Sequence, residues 1–406
     1  MTPTRLPRRR VGATLRTAAV TLASLAVLTP NAAAAPANPS AATRSPAVAD
    51  LQPELDALVD QGTSTAALAE VRDHGRVTWR GAAGTADLAT GRPARADGRF
   101  RIASVTKTFV STVTLQLVGE GRVGLDDPIE HYLPGAVPNG SAITVRQLLN
   151  HTSGLGNYLD DHRVREDTEA GNREFLATGR WIEYTPERLL AIGAARPPYF
   201  APGQGWHYSN TNYVVVGMLI EQVTGHSWRD EVQNRIIRPL GLRHTTLPTT
   251  STAVPGPHAH GYFKLPEGPG DVTRLSPTIA DAAGAAVSTT DDLTRFHAAL
   301  FGGRLLAPAQ LTEMTTTVPI PQAPDHAEYG LGVARYDLSC GQFWGHTGEI
   351  PGYSTGVFGS RDGSRQYAIS YNEYDKSDRQ KSERLYRAFE EKALCGGPAG
   401  SPTASG

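Results

Sequence analysis

At about residue 329 the sequence changes period, and that change limits the fold more than any other feature. Residues 329–337, 341–345, 354–359 and 366–371 read as short successive strands with turns such as Arg361-Asp362-Gly363, and residues 378–394 as a closing helix. At the other end, residues 47–60, with Leu51, Leu55 and Leu58, pattern as an amphipathic helix. Residues 66–72 and 76–80 pattern as a hairpin around Asp73-His74-Gly75. A helix, a hairpin, a helical insertion, then a meander and a helix predict one class of architecture. It is a mixed α/β (α+β) fold, with an antiparallel sheet flanked by N- and C-terminal helices plus an all-helical subdomain.

The insertion spans about residues 122–285. Helical spacing marks residues 104–121, 144–150, 186–192, 212–223 and 228–237, and Thr289-Thr290-Asp291-Asp292 caps a helix ending near Gly302. Pro308 opens another, short helix. Residues 250–275 read as a long Pro/Gly loop.

The first 35 residues read as a secretory signal peptide. Arg5, Arg8, Arg9, Arg10 and Arg16 form a positive start, residues 18–28 a short apolar run, and residues 31–35 offer Ala-x-Ala cleavage sites. Eleven apolar residues are too few to span a bilayer, so a secreted, extracellular protein without a membrane anchor is expected. The Arg8-Arg9-Arg10 run leaves both the general and the twin-arginine export routes open. Residues 36–46 read as a flexible leader, 47–395 as the folded domain and 396–406 as a disordered tail. Cleavage removes five arginines and no acid, so the formal charge moves from −1 to −6. That balance excludes nucleic acid as a partner. In an exported chain the two cysteines, Cys340 and Cys395, read as a disulfide, with two buried thiols as the alternative. His258-x-His260 lacks a third ligand, so no metal and no cofactor is expected, and a monomer is expected.

Three short motifs carry chemistry. Ser104-Val105-Thr106-Lys107 is the only S-x-x-K in the chain and opens a helix, where residues three apart share a face. A lysine so placed reaches the serine hydroxyl and can activate it. Tyr208-Ser209-Asn210 precedes the next long helix and can turn a phenol and a carboxamide toward one pocket, though a buried tyrosine and a capping asparagine give the same pattern. His346-Thr347-Gly348 lies on a strand of the meander, where the glycine admits a close backbone approach. Gly352-Tyr353-Ser354-Thr355-Gly356 matches a nucleophile elbow, but no histidine follows it and the residues after Ser354 read as strand, which excludes that triad.

S-x-x-K, Y-x-N and H-T-G in this order resemble the serine β-lactamase-like superfamily, the β-lactamase/transpeptidase-like fold of penicillin-binding proteins and class C β-lactamases. The stretches 143–155, 208–213 and 288–293 resemble it too. The nearest likeness is to soluble exocellular D-alanyl-D-alanine carboxypeptidases, which carry H-T-G. The resemblance covers about residues 50–395 and implies a serine-type D-Ala-D-Ala carboxypeptidase that works through an acyl-enzyme on peptidoglycan stem peptides and is acylated by β-lactams. A small acyl substrate, and hence a class C-type β-lactamase, esterase or amidase, is the alternative on the same fold; a non-catalytic penicillin- or peptidoglycan-binding module is the alternative of another class. The implied roles are Ser104 as nucleophile, Lys107 as the group that shuttles or holds its proton, Tyr208 as general base and then acid for the leaving group, and Asn210 as the group orienting the acyl-side amide. His346, Thr347 and Gly348 would line the substrate strand, and the N–H groups of Ser104 and Glu349 would form the oxyanion hole. Which of Lys107 and Tyr208 is the acylation base stays open. Two departures bear on substrate: Glu349 stands where a carboxylate-binding hydroxyl is usual, and Ala334 stands where the strand arginine is usual, with Arg335 on the opposite face.

Overall fold

The computed structural model describes residues 50–165, 167–321 and 327–396. The expected signal peptide, leader and tail lie outside them, apart from Gly396, which caps the last helix with φ 80°. The chain begins with α1 (Gln52–Asp60), β1 (Ser64–Asp73), β2 (Arg76–Asp87) and the short β3 (Arg92–Pro93). Then come β4 (Phe100–Arg101) and α2 (Thr106–Gly119). The helical region holds α3 (Val145–Leu149), α4 (Glu169–Ala177), α5 (Pro186–Ala194), α6 (Asn210–Thr224), α7 (Trp228–Val232) and α8 (Arg238–Leu240). A hairpin, β5 (Tyr262–Leu265) and β6 (Gly268–Asp271), leads to α9 (Asp281–Gly284) and to β7 (Val287–Ser288), which pairs with β4. After α10 (Thr290–Phe301) and α11 (Pro308–Thr315) come six strands. These are β8 (Val318–Pro319), β9 (Glu328–Tyr329), β10 (Ala334–Leu338), β11 (Gly341–Ile350), β12 (Tyr353–Gly359) and β13 (Arg365–Glu373), and α12 (Arg379–Cys395) follows.

β1 is buried along almost its whole length, which requires neighbours on both edges and layers on both faces. It has them. The sheet runs β3-β2-β1-β13-β12-β11-β10-β9-β8, antiparallel throughout, so the first long strand pairs with the last, Ala67 opposite Tyr371 and Asp73 opposite Arg365. Alternation along β1 sends Ala67, Ala69 and Val71 to one face, against Leu55 and Leu58 of α1 and Phe389 of α12. Leu68 faces the other way, into the core around α2. Glu70, on that same side, is fully buried, and its oxygens accept from Arg72 (3.0 Å), Arg80 (2.8 Å) and Thr294 of α10 (2.8 Å).

α2 is the pivot of the second layer. Thr106 through Leu115 are all buried, so the helix is surrounded on every side. Its hydroxyls are spent inward: Thr112 bonds the Thr108 carbonyl at 2.7 Å and Thr108 bonds the Gly332 carbonyl at 2.9 Å. Phe109 stacks on Phe296 of α10, ring centroids 3.7 Å apart. Truncating Phe109 to alanine costs about 3–5 kcal/mol by the usual cavity penalty. That packing fixes where α2 begins, and with it the Ser104 turn.

The sequence expectations need correcting at four places. The loop at 250–275 contains the β5–β6 hairpin, whose second strand is Gly268-Pro269-Gly270-Asp271; backbone pairing with β5 holds it extended although its residues have poor strand propensity. The strand expected over 329–337 is two strands, broken at Gly330–Val333, where Gly332 holds φ 80° and a Cβ would lie 2.1 Å from Ser111 Oγ. α4 went unread because its apolar residues are few. The strand expected at 341–345 extends to Ile350, which places the whole His346-Thr347-Gly348 motif within it. Cys340 and Cys395 form a disulfide, Cα atoms 5.6 Å apart, tying the β10–β11 turn to the end of α12.

Candidate active site

Ser104 sits in a 3-10 turn, Ala103–Val105, that runs directly into α2. Ala103 holds φ 47°, a left-handed conformation for a residue with a Cβ, so the turn carries strain of about 1–3 kcal/mol that the packed surroundings maintain. One helical turn on, Lys107 is completely buried. Its Nζ lies 3.0 Å from Ser104 Oγ, 2.7 Å from Asn210 Oδ1 and 2.7 Å from the Ala283 carbonyl. Burial pushes its pKa well below the ordinary lysine value, and no carboxylate among the described residues offsets that by pairing with an ammonium.

Tyr208 and Asn210 come from the turn that opens α6. The Tyr208 ring centroid is 4.8 Å from Lys107 Nζ. Its hydroxyl is buried and has no hydrogen-bond partner of normal geometry among the described residues. Burial raises its pKa far above the usual phenol value, and the nearby Ser104 hydroxyl offsets only part of that. Burial therefore keeps Tyr208 a phenol rather than a phenolate. The Asn210 side chain is fixed at both ends: its oxygen accepts from Lys107, and its Nδ2 donates to Asn157 Oδ1 at 3.3 Å.

β11 forms the opposite wall. Gly348 lies against the nucleophile turn so closely that a Cβ there would be 2.2 Å from the Ile102 carbonyl and 3.0 Å from Ser104 N. His346 is buried. Its Nδ1 contacts the Thr347 carbonyl, which can only accept, so Nδ1 carries the proton and Nε2 accepts from the Tyr329 hydroxyl at 2.8 Å. Burial, reinforced by Lys107, lowers its pKa to about 3, so it is a neutral imidazole rather than a second cation. Glu349 pairs with Lys376 and, at 3.2 Å, with Arg379. Burial works against its charge, yet these two cations hold its carboxyl below the usual range.

Ser104, Tyr208, Asn210, His346, Thr347 and Glu349 all line one cleft of about 350 Å³. Lys107 lies beneath it and Gly348 behind it. Arg165 and Lys376 line the cleft as well. The other singled-out residues lie elsewhere. Ser354 is inside β12, paired across to Glu349, not on a strand-to-helix turn. Ala334 is buried, and Arg335 turns to Glu328 at 2.9 Å. His258 and His260 stack on each other, His260 bonding Asp271 at 2.8 Å. Among the described residues no group of three or more His, Cys, Asp or Glu could hold a metal ion. No described helix is long and apolar enough to cross a membrane. Asn157, the Ala283 carbonyl and Tyr329 were missed in the sequence. Only the position of Asn157, just beyond the 143–155 stretch, offered a signal.

The family model described as Beta-lactamase matches residues 51–390. Among solved structures, a D-stereospecific amidohydrolase from Streptomyces sp. superposes with a TM-score of 0.75 at 43% identity, covering 85% of this chain and 98% of that one. Penicillin-binding protein 4* of Bacillus subtilis is 29% identical over 302 residues, 69% of this chain and 62% of the relative. Esterase EstB of Burkholderia gladioli is 36% identical over 203 residues, 48% of this chain and 50% of the relative. The chain thus spans between half and two thirds of these curated relatives.

Proposed function

This chain belongs to the β-lactamase family and is a serine hydrolase of it; on that premise we propose that it cleaves amides of D-configured acyl groups through an acyl-enzyme on Ser104. The observation that carries the reading is the setting of Lys107. The Asn210 and Ala283 oxygens accept two of its N–H groups. The third position of the nitrogen faces Ser104 Oγ. In a neutral amine, which burial favours, that position is the lone pair.

The steps follow from that arrangement. Ser104 Oγ attacks the carbonyl carbon as its proton passes to Lys107 Nζ. The carbonyl oxygen takes the negative charge and meets the N–H groups of Ser104 and Glu349. When the C–N bond breaks, Tyr208, a phenol rather than a phenolate, gives its proton to the departing amine and regains one from Lys107. Water then attacks the ester carbonyl and gives up a proton to Lys107 Nζ, and Ser104 Oγ leaves with that proton, returned to it by the same pair. Of the two candidate bases, the opposite directions of the two pKa shifts favour Lys107 for acylation and Tyr208 as acid.

Three observations support an amide over a free C-terminal D-Ala: the 43% identity to a D-stereospecific amidohydrolase, Ala334 in place of an arginine, and the carboxylate of Glu349 in the cleft. Peptidoglycan D-Ala-D-Ala carboxypeptidase is the second reading, favoured by the penicillin-binding relative and by the cations Arg165 and Lys376 along the cleft. Export as a monomer belongs to the same proposal. The test sets D-phenylalanine amide, a p-nitrophenyl ester and an N-acyl-D-Ala-D-Ala peptide against wild type and Ser104→Ala, with fluorescent penicillin as the label. Turnover of the amide and loss of every activity in Ser104→Ala are expected, with the fold intact. Peptide cleavage exceeding amide cleavage moves the reading to the carboxypeptidase, and a fully active Ser104→Ala overturns both.

A further inference from the structure

We propose that His151 is a positioning residue that aims Tyr208 at Ser104. The idea rests on the acyl-enzyme reading above but concerns a side chain with no part in the proton transfers. His151 is fully buried and holds φ 65°, a left-handed backbone that bends the chain back toward the α6 turn. From there it grips the segment that carries Tyr208 at three points. Its carbonyl accepts the His207 N–H at 3.1 Å. Its Nδ1 accepts the Ser209 N–H at 3.2 Å and the Asn212 Nδ2 at 3.1 Å. The residues immediately before and after Tyr208 are therefore both tied to one imidazole-bearing residue.

The ring also sets the plane of the phenol. Its centroid is 4.2 Å from that of Tyr208 and 4.8 Å from that of Tyr329, which itself bonds His346 on the substrate strand. Because Nδ1 accepts, the proton sits on Nε2, which is buried without a hydrogen-bond partner among the described residues and is surrounded by the rings of Tyr208, Tyr213 and Tyr329. Burial and the neighbouring Lys107 keep this imidazole neutral. A neutral ring that accepts at one nitrogen and packs at a tilt of 36° against the phenol can hold it without exchanging protons with it.

His151→Gly removes the ring and keeps the backbone, since glycine adopts a positive φ freely. His151→Asn also tolerates that backbone and returns an oxygen to accept the Ser209 N–H. The readout is burst titration with an activated p-nitrophenyl ester, which counts reactive Ser104 per chain separately from the rate at each site. The expected result for His151→Gly is a full count of sites, KM within about threefold, and acylation per site down about 100-fold, the usual cost of a misplaced catalytic group. His151→Asn should recover about tenfold of that loss, the value of one hydrogen bond. A normal rate per site in His151→Gly, a loss confined to the number of sites, or no recovery in His151→Asn would each overturn the proposal. Absence of a burst in wild type, or a burst that survives Ser104→Ala, would instead overturn the acyl-enzyme reading on which it rests.

Discussion

The lysine at the centre of this site is useful because it is in the wrong environment for a lysine. Removing its hydration lowers its pKa and leaves a lone pair beside Ser104, while the same dry surroundings raise the Tyr208 phenol. The pH profile of kcat/KM follows from these directions. Activity should rise with pH as Lys107 loses its proton, the limb being complete well below 10.5, and then stay level to about pH 10 because Tyr208 keeps its proton. His346, with a pKa near 3, adds no step at neutral pH. A fall in kcat/KM beginning near pH 8 would rule out Tyr208 as the acid. Ser104, Lys107, Tyr208 and Asn210 could be singled out because each motif is local and the three motifs in order resemble a known family; spacing by itself only made a shared face feasible. His151, Asn157 and Ala283 were not, because their contacts with the site join residues 53 to 176 positions apart. Glu349 was read as a departure from a carboxylate-binding hydroxyl; its two cations, 27 and 30 residues away, hold it ionised in the cleft wall.

Among the elements, those with a clean period were legible and those shaped by their neighbours were not. α2 and the β1–β2 hairpin announce themselves by spacing, whereas the Gly330–Val333 break and the β5–β6 hairpin exist because other parts of the chain demand a turn or offer a pairing edge. β11 combines both lessons. Its strand character was readable, but its role as a wall depends on Gly348, which alone allows it to lie against the turn bearing Ser104. Gly348→Ala puts a methyl 2.2 Å from the Ile102 carbonyl, on backbone rather than on a yielding side-chain tip. The strand must move out by several tenths of an ångström or more. The variant is expected to fold and to acylate with fluorescent penicillin about 100-fold more slowly, since the oxyanion donors no longer converge. Wild-type labelling kinetics would show that β11 does not supply the oxyanion contact.

At the scale of the whole molecule, a fold that closes its sheet by pairing the first long strand with the last buries three imidazoles among the described residues. His151 and His346 flank the site, and His297 of α10 bonds the Trp344 carbonyl at 2.8 Å beneath β11. All three have pKa values held below the ordinary 6.5, His297 at about 4 and His346 at about 3, chiefly by burial. The unfolded chain therefore binds more protons than the native one as pH falls below 6.5. Stability is complete above that value and is lost progressively through pH 6 to 4, with a limiting slope of about 4 kcal/mol per pH unit when all three contribute. Ion-paired carboxylates such as Asp375, at about 2, act only below the ordinary 3.8, so between pH 6 and 4 the histidines dominate. His297→Leu isolates one proton: it leaves the Trp344 carbonyl short of a donor and so lowers stability at neutral pH by about 1–3 kcal/mol, but it should cut the slope between pH 6 and 4 by about a third. Urea unfolding midpoints across that range, with wild type beside the variant, measure both quantities. An unchanged slope would mean that His297 takes up its proton without unfolding, and that the α10–β11 contact opens in acid while the rest of the fold holds.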